Sequence, residues 1–368
     1  MRALILTDEF FASRERAFLQ RLEVGLADEG VRVLHAVPEG IELGAEGGVF
    51  TRQVRYAPRT LALTRRLAMR RLAHELEWLD ESEEAGSIDV VHVFGGAAWR
   101  LGVELGEEIG AGVALEVWRS GLIERAKEFA SRDEHPPLLL APDPVIERSI
   151  LGTKGGPALP VRLTPWGVLT PLEIRPVLQT GRAATAMMVG SGRDPRAFLA
   201  AFEGLASILK DSPNLLIFCD ALAAHRAGVW SMARKLGVLD RVSLIDELEA
   251  RRDLLLHGDM LIQPEVQGEQ RSIVIEAMAA GMVVVAGVDP MVSILQDGLT
   301  CRAVMKRDRR EWEAVLRDVL ANPDRSRGLA RSAHDFVAQK RKASDHIRSV
   351  LQAYSWLTSG DPLPFKTT

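Results

Sequence analysis

The chain is predicted to be an α/β protein built from two Rossmann-like parallel-sheet domains facing a cleft. Three observations lead there. Nearly continuous apolar runs of strand length recur along the chain, as parallel strands covered on both faces require. Segments of helical periodicity fill the gaps, which is the alternation expected of right-handed βαβ units. The scheme then occurs a second time within 368 residues, a length that exceeds one ordinary core.

In the first half the strands are placed at 2–8 (RALILTD), 31–38, 88–95, 112–118, 138–143 and 161–167. Helical periodicity runs from Ser13 to Glu29, and Gly30 is positioned to end it in the left-handed conformation. In the second half strands are placed at 185–191, 214–220, 241–246, 259–264, 282–287 and 300–304. Between the halves lies LTPLEIRPVLQTGRAA, broken by Pro171, Pro176 and Gly181 and read as a linker. The expected organisation is a first domain at 1–168, a linker at 169–184 and a second domain at 185–342. The remainder, 343–368, carries an amphipathic helix expected to cross back to the first domain.

Bulk composition excludes several classes. Hydrophobic residues make up 47% and charged residues 26%, the balance of a soluble globular protein. A net charge of −4 gives no electrostatic ground for binding nucleic acid. Two cysteines, Cys219 and Cys301, make neither a disulfide framework nor a metal site, so a cytoplasmic protein without metal is expected. The N-terminal apolar run is too short for a signal peptide, and no run is long enough to span a bilayer. The arginine-rich helix at 58–77 sets Arg59, Arg65, Arg66, Arg70 and Arg71 against leucines. It is either a solvated face packed on its sheet or a surface for peripheral contact with an anionic membrane.

The chemistry is densest in QPEVQGEQRSIVIEAMAAGMVVVAG, residues 263–287. It reads as a strand end, a polar loop, a helix begun near Ser272 and a buried strand, with Glu276 one turn into the helix. In open α/β sheets ligands bind outside the carboxyl ends of the strands. Helix-start amides attract phosphate, and a nearby carboxylate can accept from ribose hydroxyls. Together these describe a sugar-nucleotide site. The GSG at 190–192 lies between strand and helix, but Pro195 stands where a dinucleotide fingerprint needs its third glycine. His92, alternating within VVHVF, reads as a satisfied core histidine.

In order and spacing the fragments LADEGVRV, DVVHVFG, LTPWGV, VGSGRDPRAFLAAFEGL, LLLHGDMLIQP, IEAMAAGMVVVAG and LQDGLTCRAV resemble the retaining glycosyltransferases of the GT-B fold, in the group that includes family 4. The resemblance implies transfer of a sugar from a nucleotide-diphosphate sugar to an acceptor hydroxyl, with no metal cofactor. Glu276 matches the glutamate that holds the nucleotide ribose. Its partner glutamate falls on Gly268, with Glu269 adjacent. The arginine that grips the diphosphate falls on Ser191 and the lysine on Arg196, with Arg193 close by. Arg193 and Arg196 are therefore the expected catalytic cations, because the leaving group gains negative charge in the transition state. Gly190, Arg271 and Ser272 complete the expected donor side.

The first domain departs from that pattern. Where the family carries a paired-glycine loop, this chain has Ala12-Ser13-Arg14-Glu15-Arg16. A crevice histidine is replaced by Trp118 and a turn asparagine by Trp166. Ser13, Arg14, Arg16, Trp118 and Trp166 are the acceptor-side candidates, the tryptophans as stacking faces or as core. Two readings of different class stay open: a hexosyltransferase, and a catalytically inactive protein of the same fold that binds nucleotide sugar as a module or partner subunit. A nucleotide-sugar epimerase of related fold is a third.

Overall fold

The computed structural model describes residues 1–41, 51–83, 86–132, 136–152, 159–246, 248 and 252–359. The chain forms two compact units, one of residues 1–166 with 343 onward and one of residues 167–342.

Unit 1 runs β1 (Arg2–Thr7), α1 (Glu9–Arg14), α2 (Arg16–Asp28), β2 (Arg32–Pro38), β3 (Arg52–Tyr56), α3 (Ala62–Glu83), β4 (Val90–Phe94), α4 (Trp99–Ile109), β5 (Gly112–Glu116), α5 (Ile123–Arg132), β6 (Leu138–Ala141), α6 (Pro144–Leu151) and β7 (Val161–Leu163). Its strands form one parallel sheet in the order β3-β2-β1-β4-β5-β6-β7. β1 sits centrally, with Leu4 registered between Leu34 and Val91, and every β1 residue is buried. That position explains its unbroken apolar run.

Two expectations change here. The helix expected over 13–29 is two helices, and the first begins earlier because the Asp8 carboxylate caps it by accepting from Phe11 N at 2.9 Å. β3 was not foreseen, because RQVRY is a short edge strand with Arg52 and Arg55 facing out. Charge on an edge blocks further strand pairing, and it also removes the apolar signature.

Unit 2 runs β8 (Ala184–Met188), α7 (Pro195–Ser207), β9 (Leu215–Asp220), α8 (Ala221–Ala227), α9 (Val229–Leu236), β10 (Val242–Ile245), β11 (Met260–Gln263), α10 (Ser272–Ala279), β12 (Val283–Gly287), β13 (Arg302–Val304), α11 (Arg309–Ala321) and α12 (Pro323–Lys340). The parallel order is β10-β9-β8-β11-β12-β13. Phe198, Phe202, Ile217, Ile262, Val285 and Trp312 lie in its core. Gly204 lets α7 and α11 approach, since a Cβ there would lie 2.7 Å from Trp312 and 2.9 Å from Arg309 O. The proline-bearing segment before β8 is tied to this unit: buried Asp259 accepts from Leu178 N and Thr185 N, both at 2.9 Å. Cys219 and Cys301 are buried and unbridged.

The last helix, α13 (Ala343–Ser359), packs in unit 1 against α2 and β5, where Tyr354 is fully buried. Among the described residues no helix is long and apolar enough to cross a membrane.

Candidate functional site

In unit 2 the strand order reverses between β8 and β11, and ligands of open α/β sheets bind beyond the strand ends at such a point. The loop 189–194 leaves β8 and the loop 264–271 leaves β11. The first enters α7 through the cap Asp194, whose carboxylate accepts from Ala197 N at 3.0 Å, with Pro195 at the first helical position. Both of its glycines are needed. A Cβ at Gly190 would lie 2.9 Å from Phe198 and 3.0 Å from Glu265. Gly192 has φ +72°, and a Cβ there would lie 2.7 Å from Arg226.

Glu265 joins the two loops. One carboxylate oxygen accepts from Ser191 N at 2.8 Å and from the Ser191 hydroxyl, and the other accepts from Gly192 N at 2.8 Å. Consecutive backbone amides of this kind cradle anions, and here a buried protein carboxylate occupies the cradle. The amide and hydroxyl of Ser191 are thus engaged within the protein. Sequence reasoning passed over Glu265; the only signal is an acid directly after a strand end and a proline. It also missed Arg226, whose Nη1 lies 3.4 Å from Gly192 O, because its partners come from another βα unit.

The second loop is pinned from the loop after β12. Gly268 N donates to Asp289 Oδ2 at 2.7 Å, Met291 N donates to Asp289 Oδ1 at 3.0 Å, and Gln270 Nε2 donates to Met291 O at 3.1 Å. Gly268 has φ +63°, so a glutamate at this position would be strained in the present backbone. Next to it, buried Glu269 forms a direct ion pair with Arg193 and lies 3.9 Å from Arg271 Nη1. Arg271 is itself buried, and Arg193 keeps its side chain 30% exposed. Glu269 thus lies between two guanidinium groups, Arg193 and Arg271, at the switch point. Arg196 stands on the exposed side of α7.

Every residue of α10 is buried, including Ser272 and Glu276, and its N-cap residue is Arg271, whose own side chain does not cap the helix. The amides of that turn, the arginine cluster and the Glu276 carboxylate thus belong to one short stretch of chain. Such a set can meet a diphosphate with donors and a diol with an acceptor.

Unit 1 reverses its order between β1 and β4. There Asp8 accepts from Ala97 N at 3.2 Å besides capping α1, and Gly95 lies against it with φ +90°. A Cβ on Gly95 would fall 2.0 Å from Asp8 Cγ. Each unit therefore carries at its switch point a carboxylate that accepts from the neighbouring loop, Glu265 from two amides and Asp8 from one. Gly95→Ala is expected to destabilise unit 1 by about 3 kcal/mol, combining positive-φ strain with a displaced cap. Gly110→Ala, also at positive φ but with open space around its Cβ, should cost only about 1 kcal/mol. Thermal midpoints of the two variants check the difference.

The remaining candidates lie in or beside the unit 1 core. Trp118 stacks on Phe10 with centroids 5.2 Å apart, and Trp166 packs on Phe18 at 4.5 Å and Phe11 at 5.8 Å. Both tryptophans are almost wholly buried. Arg14 is buried over the Phe10 ring at 5.5 Å, Ser13 Oγ donates to Glu9 O at 2.9 Å, and Arg16 opens α2 half-buried. Polar positions of the resembled pattern are thus filled by ring packing here.

Trp166 Nε1 also donates to Glu116 Oε1 at 2.7 Å, the start of a buried polar chain. Glu116 Oε2 lies 3.3 Å from His92 Nε2, and His92 Nδ1 lies 2.9 Å from the Tyr354 hydroxyl. Burial pushes the Glu116 carboxyl up to about 8 and the His92 imidazole down to about 3, and it raises the Tyr354 phenol as well. All three are therefore neutral near neutral pH. The Glu116 proton then donates to His92 Nε2, and His92 Nδ1–H donates to Tyr354. His92 is the satisfied core histidine that its alternation suggested.

No protein-family model matches the chain, and no curated protein matches it by sequence. Solved structures do. Sucrose-phosphate synthase from Thermosynechococcus elongatus superposes with a TM-score of 0.72 at 15% identity, over 98% of this chain and 100% of that one. HepE from Anabaena in complex with UDP-glucose gives 0.69 at 13%, over 96% and 100%. A glycosyltransferase from Rickettsia africae gives 0.68 at 12%, over 98% and 99%. Likeness at such identities speaks to architecture: this chain has the two-domain parallel-sheet fold of the GT-B glycosyltransferases.

Proposed function

We propose that the protein is a hexosyltransferase that moves a sugar from a nucleotide-diphosphate sugar to an acceptor hydroxyl, with retention of anomeric configuration. The observation that carries this is the unit 2 switch point, where Arg193 and Arg271 flank Glu269 beside the start of α10 and the buried Glu276. Glu276 accepts from the ribose hydroxyls. The α10 amides and Arg271 hold the diphosphate, while Arg193 and Arg196 offset the charge that grows on the leaving group. The cations of this scheme are guanidinium groups, and a cytoplasmic protein working without a metal cofactor is part of the proposal. Gly268 offers the sugar only backbone, so hydroxyl recognition falls to Glu269 and its neighbours.

A second reading has its own support. Arg193 is already paired with Glu269, and aromatic rings fill the unit 1 positions where the resembled enzymes are polar. On that reading the protein binds a nucleotide sugar without turning it over. Calorimetry with UDP, GDP, ADP and their sugars, alongside assays of nucleoside diphosphate release, separates the two. Glu276→Gln and Arg193→Ala are each expected to weaken nucleotide binding about 10- to 100-fold, the range for lost charge-assisted hydrogen bonds. Binding with release supports the transferase. Binding without release under every acceptor tried assigns the module, and no binding of any nucleotide defeats both.

A further inference from the structure

A second surface, on α3 of unit 1, has a composition that neither the core nor the nucleotide reading explains. The inward side of α3 is ordinary: Leu72, Leu76 and Leu79 are buried, and Arg65 grips Glu104 through Nε at 3.0 Å and Nη2 at 2.6 Å. The outward side of an amphipathic helix is normally polar. Here Leu63 and Leu67, one turn apart, are 80% and 61% exposed, with Leu61 at 72% just ahead and Trp78 at 56% three turns on. Elsewhere in unit 1 the exposed large apolar residues among those described, Met1, Val24 and Leu151, are scattered singly.

Cations surround this row. Arg59, Arg66, Arg70 and Arg71 are all exposed, and residues 59–71 contain no acid; Glu75 and Glu77 come only in later turns. The whole chain carries −4, so the basic face runs against its overall sign. A cavity of about 490 Å³ opens between β3 and α3, and its wall carries three cations, Arg55, Arg59 and Arg71, against two acids, Glu39 and Glu75.

Leucines that gain from leaving water and arginines that gain from phosphate occur together on one helix face. A second copy of the chain would set like charges against each other across a two-fold axis. A nucleic acid would satisfy the arginines and leave the leucines in water. An anionic bilayer satisfies both at once. We propose that this face docks on membranes containing anionic phospholipid. Leu61, Leu63 and Leu67 enter the boundary between headgroups and acyl chains, the arginines meet lipid phosphates, and the cavity receives a headgroup.

The full-length protein is sedimented with phosphatidylcholine vesicles and with vesicles containing about 30 mol% phosphatidylglycerol. Partitioning onto the anionic vesicles is expected to be at least tenfold stronger and to weaken as salt is raised, since each arginine near such a surface favours binding by about fivefold. Leu63→Asp/Leu67→Asp and Arg70→Glu/Arg71→Glu should each lower it at least tenfold. Circular dichroism and nucleotide affinity should be unchanged in both, while Arg325→Glu, exposed on unit 2, should partition like the parent. The proposal is overturned by absent or equal sedimentation with the two vesicle types, or by full binding in both double variants. It is overturned too if sedimentation velocity shows a dimer that Leu63→Asp/Leu67→Asp dissociates. Nucleotide affinity is read separately, so failure here leaves the transferase reading untouched.

Discussion

Replacing Glu265 with alanine is expected to destabilise unit 2 by about 3 kcal/mol, with Glu265→Gln falling between that variant and the parent. The carboxylate accepts from two buried amides and one hydroxyl, and a buried donor left without an acceptor costs about 1–3 kcal/mol. Glutamine recovers only part of this, because its amide nitrogen must face a backbone N–H on one side. The same substitutions should loosen the loop 189–194, which carries Arg193. Urea unfolding measures the first effect, and hydrogen exchange of the Ser191 and Gly192 amides measures the second. Parent-like protection at those amides in Glu265→Ala would show that Glu265 does not hold the loop.

A different signature is expected from Glu116→Gln: a crossing of stability curves with pH. In the folded protein Glu116 keeps its proton up to about 8, whereas the unfolded side chain loses it near 4.5. The folded state then binds more protons than the unfolded one, so this group's contribution is complete below 4.5 and is lost as pH rises towards 8. His92 runs the other way. Its folded value near 3 lies below the ordinary 6.5, so its contribution is present above 6.5 and is lost as pH falls towards 3.

The contributions of these two groups cancel between pH 4.5 and 6.5. Above 6.5 the Glu116 contribution stands alone and falls by about 1.4 kcal/mol per pH unit. Glutamine cannot ionise, yet it can accept from Trp166 and donate to His92, so the neutral chain of hydrogen bonds survives. One extra buried N–H costs it about 1 kcal/mol. The parent should therefore be the more stable at pH 4.5 and the variant by several kcal/mol at pH 8. Thermal or urea midpoints of the two proteins at both pH values check this, and parallel curves would rule out a buried neutral carboxyl.

Legibility in the sequence followed from how local each signal is. The strands at the centre of both sheets were plain, because burial on two faces leaves an unbroken apolar run such as RALILT. β3 was not plain, because its edge position is marked by Arg52 and Arg55 rather than by hydrophobicity. The break between α1 and α2 was hidden because Asp8, which starts the first helix early, read as the end of a strand. Gly268 stands where the resembled pattern has a glutamate, and here it has positive φ and donates to Asp289. Glu265, Arg226 and Glu116 act on residues brought close only by strand order, so nothing adjacent in sequence announces them.

The amino-acid order alone determined the α/β class, the doubling of the sheet motif, and the presence of an apolar helix carrying Glu276 with arginines near it. Those properties rest on period and propensity, which are set within a few residues of each position. Tertiary structure decided that Glu265 is spent on the Ser191 and Gly192 amides and that Glu269 pairs with Arg193 near the α10 helix start. It also decided that Trp118 and Trp166 are core. Both outcomes depend on long-range pairing and burial, because an amide or an indole acquires its partner only when strands far apart in the chain come to lie side by side.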